Sequence, residues 1–473
     1  MPAAHFALTQ LQRIAPPATE KVLTKSAWDD LHRDLSARLA LALTPTLRLQ
    51  QAAAKAVAHS LPIDHNGERR RAMRGKVSLL ETIIEFPDLL ETAAQLISAW
   101  IDAQRELFAR LLRDAAGLRS SFLHARELFR VAHIRAKLSD PHDGARTATM
   151  VEFVGDRRVI YKPRPSDREE LWFEALRWLN RNGIRASFRV PKMLARRKYV
   201  WMEFLRMKGC KNPTAVRLFY FRWGTQAALA QILGATDLHR DNWLALGSQP
   251  ILVDAELIGD AEPTSSRGRQ SLPALLQTGL LPLVSRDRAG FYRGIAPFDA
   301  TIPKSAPAKC WPRYKRVPQR PSKYVNDLVR GFDAVASIFA TPGLARQFFR
   351  EIMLRATWNR DRRVLLRASA AYARLLRESF EARNMVSPSE RWRRLVRECC
   401  VSAGSRRIGL AEARALLRCD IPKFTTRRRI VPVPQNELSA AIAELKDSSR
   451  LLRRRVLLGT RIHRAKRATG SIR

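Results

Sequence analysis

The chain has 473 residues, 46% of them hydrophobic, and 85 basic residues stand against 44 acidic ones for a net charge of +41. That length allows two or three domains with a sizeable core. The composition excludes an acidic solvating chain, a collagen-like chain and a low-complexity chain. The basic excess is 68 Arg and 17 Lys. It is spread over nearly every segment, which points away from nucleic acid and toward a solvated surface or attraction to an acidic peptide. Five cysteines (Cys210, Cys310, Cys399, Cys400 and Cys419) show no CxxC and no Cys/His spacing for zinc. Reduced thiols filling a core, in a cytoplasmic setting, are expected. The N-terminus lacks a charged-then-apolar signal layout, and no apolar run approaches ~18 residues, so no membrane span is expected.

From Ala27 to about Arg135 apolar residues recur at three- and four-residue spacing, as in LLETAAQLISAWIDAQRELFARLL, and predict helices with a restart at Pro87. The period then changes. Residues 148–153 and 158–162 predict a hairpin turned at Gly155-Asp156. SDREELWFEALRWLNRNG predicts a helix capped by Ser166 or Asp167 and ended by Gly183. FRVPKMLARRKYVWMEFL predicts a second strand pair. A helix from Thr214 to Leu233, the loop TDLHRDN and a short strand, PILVD, follow. Residues 260–321 are rich in Pro, Ser, Arg and Gly and predict a long irregular insertion. Helical spacing resumes over Lys323–Arg383 and Ser389–Cys400, and the tail after Arg450 carries eight basic residues and no acidic one. That tail predicts an amphipathic helix with a frayed end. Its charge serves as a solvated face or as a docking surface for a peptide or polyanion. There is no internal repeat.

The strongest chemical cluster is TDLHRDN (236–242) followed by VDAE (253–256). An Asp, an Asn five residues later and an Asp twelve residues beyond that form the layout of a kinase catalytic site. Phosphoryl transfer needs a carboxylate to orient the attacking hydroxyl and oxygen ligands to hold magnesium against a triphosphate. Asp237 suits the first task, and Asn242 and Asp254 the second. Glu256 lies two positions on, on the same side of an extended strand, and can join the metal site. His239 can bridge phosphate and base or simply hold the loop. Lys162 ends the hairpin strand and precedes a helix with Glu169, Glu170 and Glu174, any of which can pair with it as in kinases. VWMEFL resembles a hinge strand. No GxGxxG lies upstream; SDPHDGAR (139–146), with the single Gly144, is the nearest substitute.

The ordered set SDPHDG, YKPR, WMEF, RWG, DLHRDN and VDAE resembles the dehydratase domain of class II lanthipeptide synthetases, the LanM-type enzymes. FPDLL (86–90), RRVLLRASAAY (362–372) and DIPKF (420–424) extend the resemblance from about Phe86 to Phe424. It implies an α+β fold, a lipid-kinase-like bilobal core with added helical N-terminal and C-terminal segments. Residues 1–135 would be a helical N-terminal region and 136–259 the N-lobe, hinge, catalytic and metal loops. The insertion spans 260–321, a helical C-lobe with the elimination residues 322–433, and a basic helix or tail 434–473. The implied activity is ATP-dependent phosphorylation of Ser/Thr in a ribosomal precursor peptide with a leader, then phosphate elimination to dehydroalanine or dehydrobutyrine. Asp140, His142 and Lys162 would serve ATP, Asp237 and His239 catalysis, and Asn242, Asp254 and Glu256 Mg2+. Elimination falls to Arg363 and Ser369, placed by the resemblance on a helix, with Ser where the family has Thr. Arg367, one turn on, can add charge for the phosphate or be one more surface Arg. A full-length synthetase continues into a zinc cyclase domain. This sequence has no such zinc set, so a dehydratase alone is expected, with no zinc and with ring closure left to a separate cyclase. Two alternatives stand beside it: a kinase-like phosphotransferase without elimination, and an inactive kinase-fold protein that binds peptide.

Overall fold

Helix Lys25–Ser60 turns Ala27, Leu31, Leu35, Leu39 and Ala42 to one side, and all five are buried. Helix Asp88–Arg113 does the same with Leu96, Trp100, Leu107, Phe108 and Leu111, opens with Asp88 and Glu91 and closes on Arg110 and Arg113, as the helix dipole favours. Together with helix Pro2–Ile14 they share a core with an antiparallel sheet. Its strands are β1 (Val131–Arg135), β2 (Thr149–Phe153), β3 (Arg158–Lys162), β4 (Met193–Arg196) and β5 (Tyr199–Glu203), in the order β1-β2-β3-β5-β4. The computed structural model describes residues 2–60, 79–123, 128–184, 186–258, 273–282, 296–299, 309–353, 361–364, 366–401, 405–427, 439 and 442–469. The chain divides into two units. The first comprises Met1–Arg164, Lys192–Phe204 and Val364–Phe424, and the second Pro165–Pro191, Leu205–Arg363 and Thr425–Arg473. The contiguous segments read from the sequence therefore contribute to both units, with β3 in the first and the TDLHRDN loop in the second.

In the first unit the β2–β3 hairpin turns at Gly155 (φ 97°) and Asp156 (φ 63°), where the sequence placed it, with Thr149 opposite Tyr161 and Val151 opposite Val159. Every residue of β2 is buried, which marks it as an inner strand. Glu152 is held by Arg158 at 2.9 Å. Asp114 is almost fully buried and accepts from Arg196, the Tyr199 hydroxyl and the Trp201 indole at 2.8–2.9 Å, tying β4 and β5 to the end of helix Asp88–Arg113. Helices Ser369–Ser379, Pro388–Val401 and Arg406–Leu417 complete this unit. Arg391 is buried among them and reaches Thr92, Ser379 and the Cys419 thiol.

The second unit is built on helix Pro213–Ile232, capped by the Asn212 side chain, which accepts from the Ala215 amide at 2.8 Å. From Arg222 to Ile232 every residue is buried, so the helix is central. It packs against helix Val325–Phe339 through two glycines. A Cβ on Gly224 would stand 1.8 Å from the Leu328 carbonyl oxygen, and one on Gly331 1.8 Å from the Phe221 oxygen. The two backbones approach too closely for any side chain at either position. Helix Asp167–Arg181 adds Trp172 and Trp178 to the core, and Gly183 (φ 96°) follows its end. Ser166 takes its N-cap position, but its hydroxyl donates to Glu170 rather than capping an amide.

Most of the expected insertion, 259–272, 283–295 and 300–308, lies outside the described residues. Part of what is described there is core: Leu275, Leu276, Leu280, Leu281, Phe298 and Trp311 are buried. Pro and Gly break the periodicity of this stretch without making it polar. The C-terminal helix runs Leu445–Thr469. Among the described residues no helix is long and apolar enough to cross a membrane.

Candidate functional site

The loop Thr236–Asn242 follows the central helix of the second unit. Two apolar anchors pin it: Leu238 is 1% exposed and Trp243 2%. Trp243 packs on Trp223 and Trp172, and its indole donates to the Leu238 carbonyl at 3.3 Å. The Thr236 amide donates to Leu257 O and the Leu238 amide to Thr278 O, both at 2.8 Å. With the apolar residues fixed inward, the polar residues between them stay partly exposed.

Asp237 has φ 58°, a left-handed backbone that costs an L-residue energy and concentrates at functional sites. Its carbonyl accepts from Asn242 Nδ2 at 2.9 Å, which closes the loop on itself. His239 Nδ1 accepts from the Asp241 amide at 3.3 Å. In the neutral ring the proton then lies on Nε2, 4.0 Å from Asp237 Oδ2. This contact helps hold the loop, one of the two roles open to His239.

Asn242 and Asp254 are joined by a hairpin. Strand β6 (Trp243–Leu246) pairs with β7 (Gln249–Leu252), Trp243 opposite Leu252. The ladder continues one step past the strands, because the Val253 amide donates to Asn242 O at 2.8 Å. Asn242 and Asp254 therefore leave the same open end of the hairpin. An amide oxygen and a carboxylate there are hard donors that fit a divalent cation. Among the described residues no three His, Cys, Asp or Glu side chains gather as a metal cluster. Glu256 is two residues on and partly exposed. β6, which the sequence reading passed over, supplies the second half of this frame.

Arg222, of the RWG motif, was not singled out from the sequence. Its guanidinium donates to Ser187 O at 3.0 Å and to Ser248 O and Oγ at 2.8 Å, fixing the turn between β6 and β7. Burial lowers its pKa to about 10. Gln226, one turn on, donates to Pro250 O at 2.8 Å.

The first unit holds Asp140, His142 and Lys162. Lys162 ends β3 opposite Val200 of β5 and is 8% exposed. Asp140 and His142 lie in a loop whose residues Asp143, Gly144 and Ala145 all have positive φ: 51°, 90° and 60°. That bend turns successive amides inward as an anion-binding nest. The occupant is a carboxylate of the chain itself. Asp420 accepts from the Gly144 amide at 2.6 Å and the Ala145 amide at 2.9 Å. His142 Nδ1 donates to Ile421 O at 2.8 Å, and the Ile421 amide to Pro141 O at 2.8 Å. SDPHDGAR and DIPKF are thus one stitched structure. The substitute phosphate cover read from the sequence has these two amides already engaged. Asp420 lies about 275 residues from its partners, so no local spacing could have revealed the pairing.

Arg363 falls on strand Asp361–Val364, not on a helix, whereas Ser369 is the first residue of helix Ser369–Ser379. The Ala-Ser-Ala spacing that favours a helix begins only after Arg367. Arg367 is partly exposed, and its guanidinium is engaged. It donates to Glu412 at 2.9 and 2.6 Å and to Cys399 O at 2.7 Å. Tyr372 shares Glu412 at 2.6 Å, and burial together with that carboxylate raises its pKa well above the usual phenol range.

A family model described as "Domain of unknown function (DUF4135)" matches residues 86–296 and 297–427, more than two-thirds of the chain, and the chain belongs to that family. The chain is also similar to the "Lacticin 481/lactococcin biosynthesis protein LcnDR2" of Lactococcus lactis subsp. lactis. The two are 21% identical over 242 residues, which is 42% of this chain and 26% of that protein. The match spans about a quarter of the length of that relative.

Proposed function

We propose that the protein transfers a phosphoryl group from ATP to Ser and Thr hydroxyls of a ribosomal precursor peptide and then eliminates the phosphate, as a kinase-like dehydratase of lanthipeptide type. The observation that carries the reading is the frame of the second unit. Asp237 sits in left-handed backbone, closed by Asn242, with Asp254 leaving the same hairpin end as Asn242. Asp237 orients the attacking hydroxyl and takes its proton as the O–P bond forms and the bond to ADP breaks. Asn242 and Asp254 hold the cation, with Glu256 beside them. Bound magnesium would supply charge neutralisation on the phosphates. Lys162 and the loop of Asp140 and His142 serve the nucleotide. The named relative, a lacticin biosynthesis protein, supports the peptide substrate.

In the second half-reaction a general base takes the α-proton, the C–H electron pair forms the Cα=Cβ bond, the Cβ–O bond breaks and phosphate departs with that bond's electron pair. Arg363 stabilises that charge and the Ser369 hydroxyl assists. The test is mass spectrometry of a precursor peptide encoded beside the gene, incubated with ATP and magnesium. Wild type yields dehydrated peptide, and Asp254→Ala yields neither phosphorylated nor dehydrated product. Turnover by Asp254→Ala at the wild-type rate overturns the site. A phosphotransferase without elimination is favoured by one observation: Arg367 is spent on Glu412. Wild type that stops at phosphopeptide establishes that reading.

A further inference from the structure

A cavity of about 590 Å3 opens within the first unit. That volume is in the range of ligand clefts. Its walls are Leu96, Leu376, Phe380 and Ile421, all buried. Its rim carries Leu41 and Leu138, 49% and 53% exposed, an unusual place for two large aliphatic side chains around one opening. Of the residues assigned above to phosphoryl transfer or elimination, Asp140 alone lines it.

The polar side is cationic. Arg38 lines the cavity and is 8% exposed. Its Nε donates to Asp34 Oδ2 at 2.9 Å and its Nη1 to Ala145 O at 3.4 Å. Its Nη2 is buried with no hydrogen-bond partner. Asp34 cannot supply one more bond easily, since it already takes the Trp100 indole at 2.9 Å and has Lys137 Nζ at 3.8 Å. Lys137 and the exposed Arg377 line the same opening. Asp140 is the sole acid among the lining residues. A buried guanidinium N–H without an acceptor is costly, and a carboxylate brought in by a ligand relieves that cost with a charge-assisted bond.

We propose that this cavity is a docking pocket for a peptide segment that carries an acidic side chain beside aliphatic ones. The carboxylate meets Arg38 Nη2, with Lys137 and Arg377 at the rim, and the aliphatic side chains cover Leu41 and Leu138 and fill the apolar walls. Charge complementarity selects this occupant, since the chain carries +41 and would attract an acidic segment at a distance. As a holding point for the precursor peptide the pocket rests on the function proposed above, and it gives the enzyme a grip on its substrate that takes no part in the chemistry.

The probe is a fluorescein-labelled peptide of Glu-Leu-Leu-Glu repeats, followed by fluorescence polarisation on the full chain without nucleotide. Its Gln-for-Glu and Ser-for-Leu counterparts are measured beside it. Arg38→Gln, Arg377→Glu and Leu138→Glu each weaken binding about tenfold or more, the scale of losing a bond to a charged group or an apolar contact surface. The last two sit on the exposed rim, so folding is not at stake. Arg450→Glu, at an exposed position of the C-terminal helix, leaves binding unchanged. Equal weakening by Arg450→Glu and Arg377→Glu, or undiminished binding of either counterpart peptide, overturns the pocket, as does absence of binding to wild type. Binding without ATP-dependent modification of the precursor overturns the proposed function and leaves the pocket standing. Modification that Arg377→Glu and Leu138→Glu do not slow at limiting precursor shows that the precursor does not use it.

Discussion

Two of the loops that pass through left-handed backbone dispose of their polar groups in opposite ways. In the first unit, residues 141–146 bend through three consecutive positive φ angles, and the amides this exposes are filled by Asp420. In the second unit, residues 236–242 use a single strained residue, Asp237, whose own carbonyl is capped by Asn242. The first loop spends its backbone on the chain. The second satisfies its backbone locally, and Asp237, His239 and Asn242 are partly exposed. Strain in the first is structural, because a buried carboxylate over-determines it. Under the proposed function, strain in the second aims the Asp237 carboxylate.

The largest effect should come from separating carboxylate from backbone in the second loop. Asn adopts left-handed backbone readily, so Asp237→Asn keeps the bend while removing the base. Phosphorylation should slow by about 10²–10⁴, with a melting temperature indistinguishable from wild type. Calorimetry alongside single-turnover phosphorylation checks both halves. A large loss of stability in Asp237→Asn would mean that this carboxylate, like Asp420, is structural.

Arg367, held by Glu412, and Arg363, the residue proposed for elimination, form a second pair to compare. Arg363→Ala should slow elimination by about 10²–10³ and let phosphopeptide accumulate. Ser369→Ala should act in the same direction, and Ser369→Thr should be tolerated because the hydroxyl is kept. Arg367→Ala should instead destabilise the first unit by roughly 3 kcal/mol, because it strands buried Glu412. Intact-peptide mass spectrometry and thermal unfolding distinguish the two outcomes. Loss of both phosphorylated and dehydrated peptide in Arg363→Ala would assign that residue to folding or to the transfer site.

Next in size is Asp420→Asn. The amide keeps one acceptor and turns an NH2 toward a backbone N–H, so one of the two bonds is lost and a donor faces a donor. A hydrogen bond to a charged group contributes about 1.5–3 kcal/mol, and the first unit should lose stability on that scale. Hydrogen exchange at Gly144 and Ala145 should rise with it, since these amides are protected by that carboxylate.

Much of the frame was legible in the sequence, and what was missed has physical causes. The β2–β3 hairpin and helix Asp167–Arg181 announce themselves by local period and by Gly155 and Gly183, and they lie within a residue or two of their expected bounds, while the β4–β5 pair falls inside the expected stretch 188–205. The spacing of Asp237, Asn242 and Asp254 was readable because a hairpin of fixed length joins them. Strand Asp361–Val364 was masked by the Arg-rich run RDRRV, which carries no strand alternation. The glycine contact between Gly224 and Gly331 and the Asp420 nest depend on partners more than a hundred residues away, and no local pattern encodes them.

The smallest effect tests the first loop from its other side. Ala145 is not glycine, yet it holds φ 60° with its Cβ in place, at a cost of about 1–2 kcal/mol for an L-residue. Ala145→Gly removes that cost but gives the unfolded chain more freedom, which takes back about 0.5–1 kcal/mol. The net change should be a gain of up to about 1.5 kcal/mol, and it should persist in an Asp420→Asn background. Urea unfolding of the four proteins of that cycle measures it. If Ala145→Gly destabilises in both backgrounds, the bend is not strained at Ala145. If the gain vanishes when Asp420 is changed, the left-handed run exists only because the carboxylate holds it, and the loop relaxes once the nest is emptied.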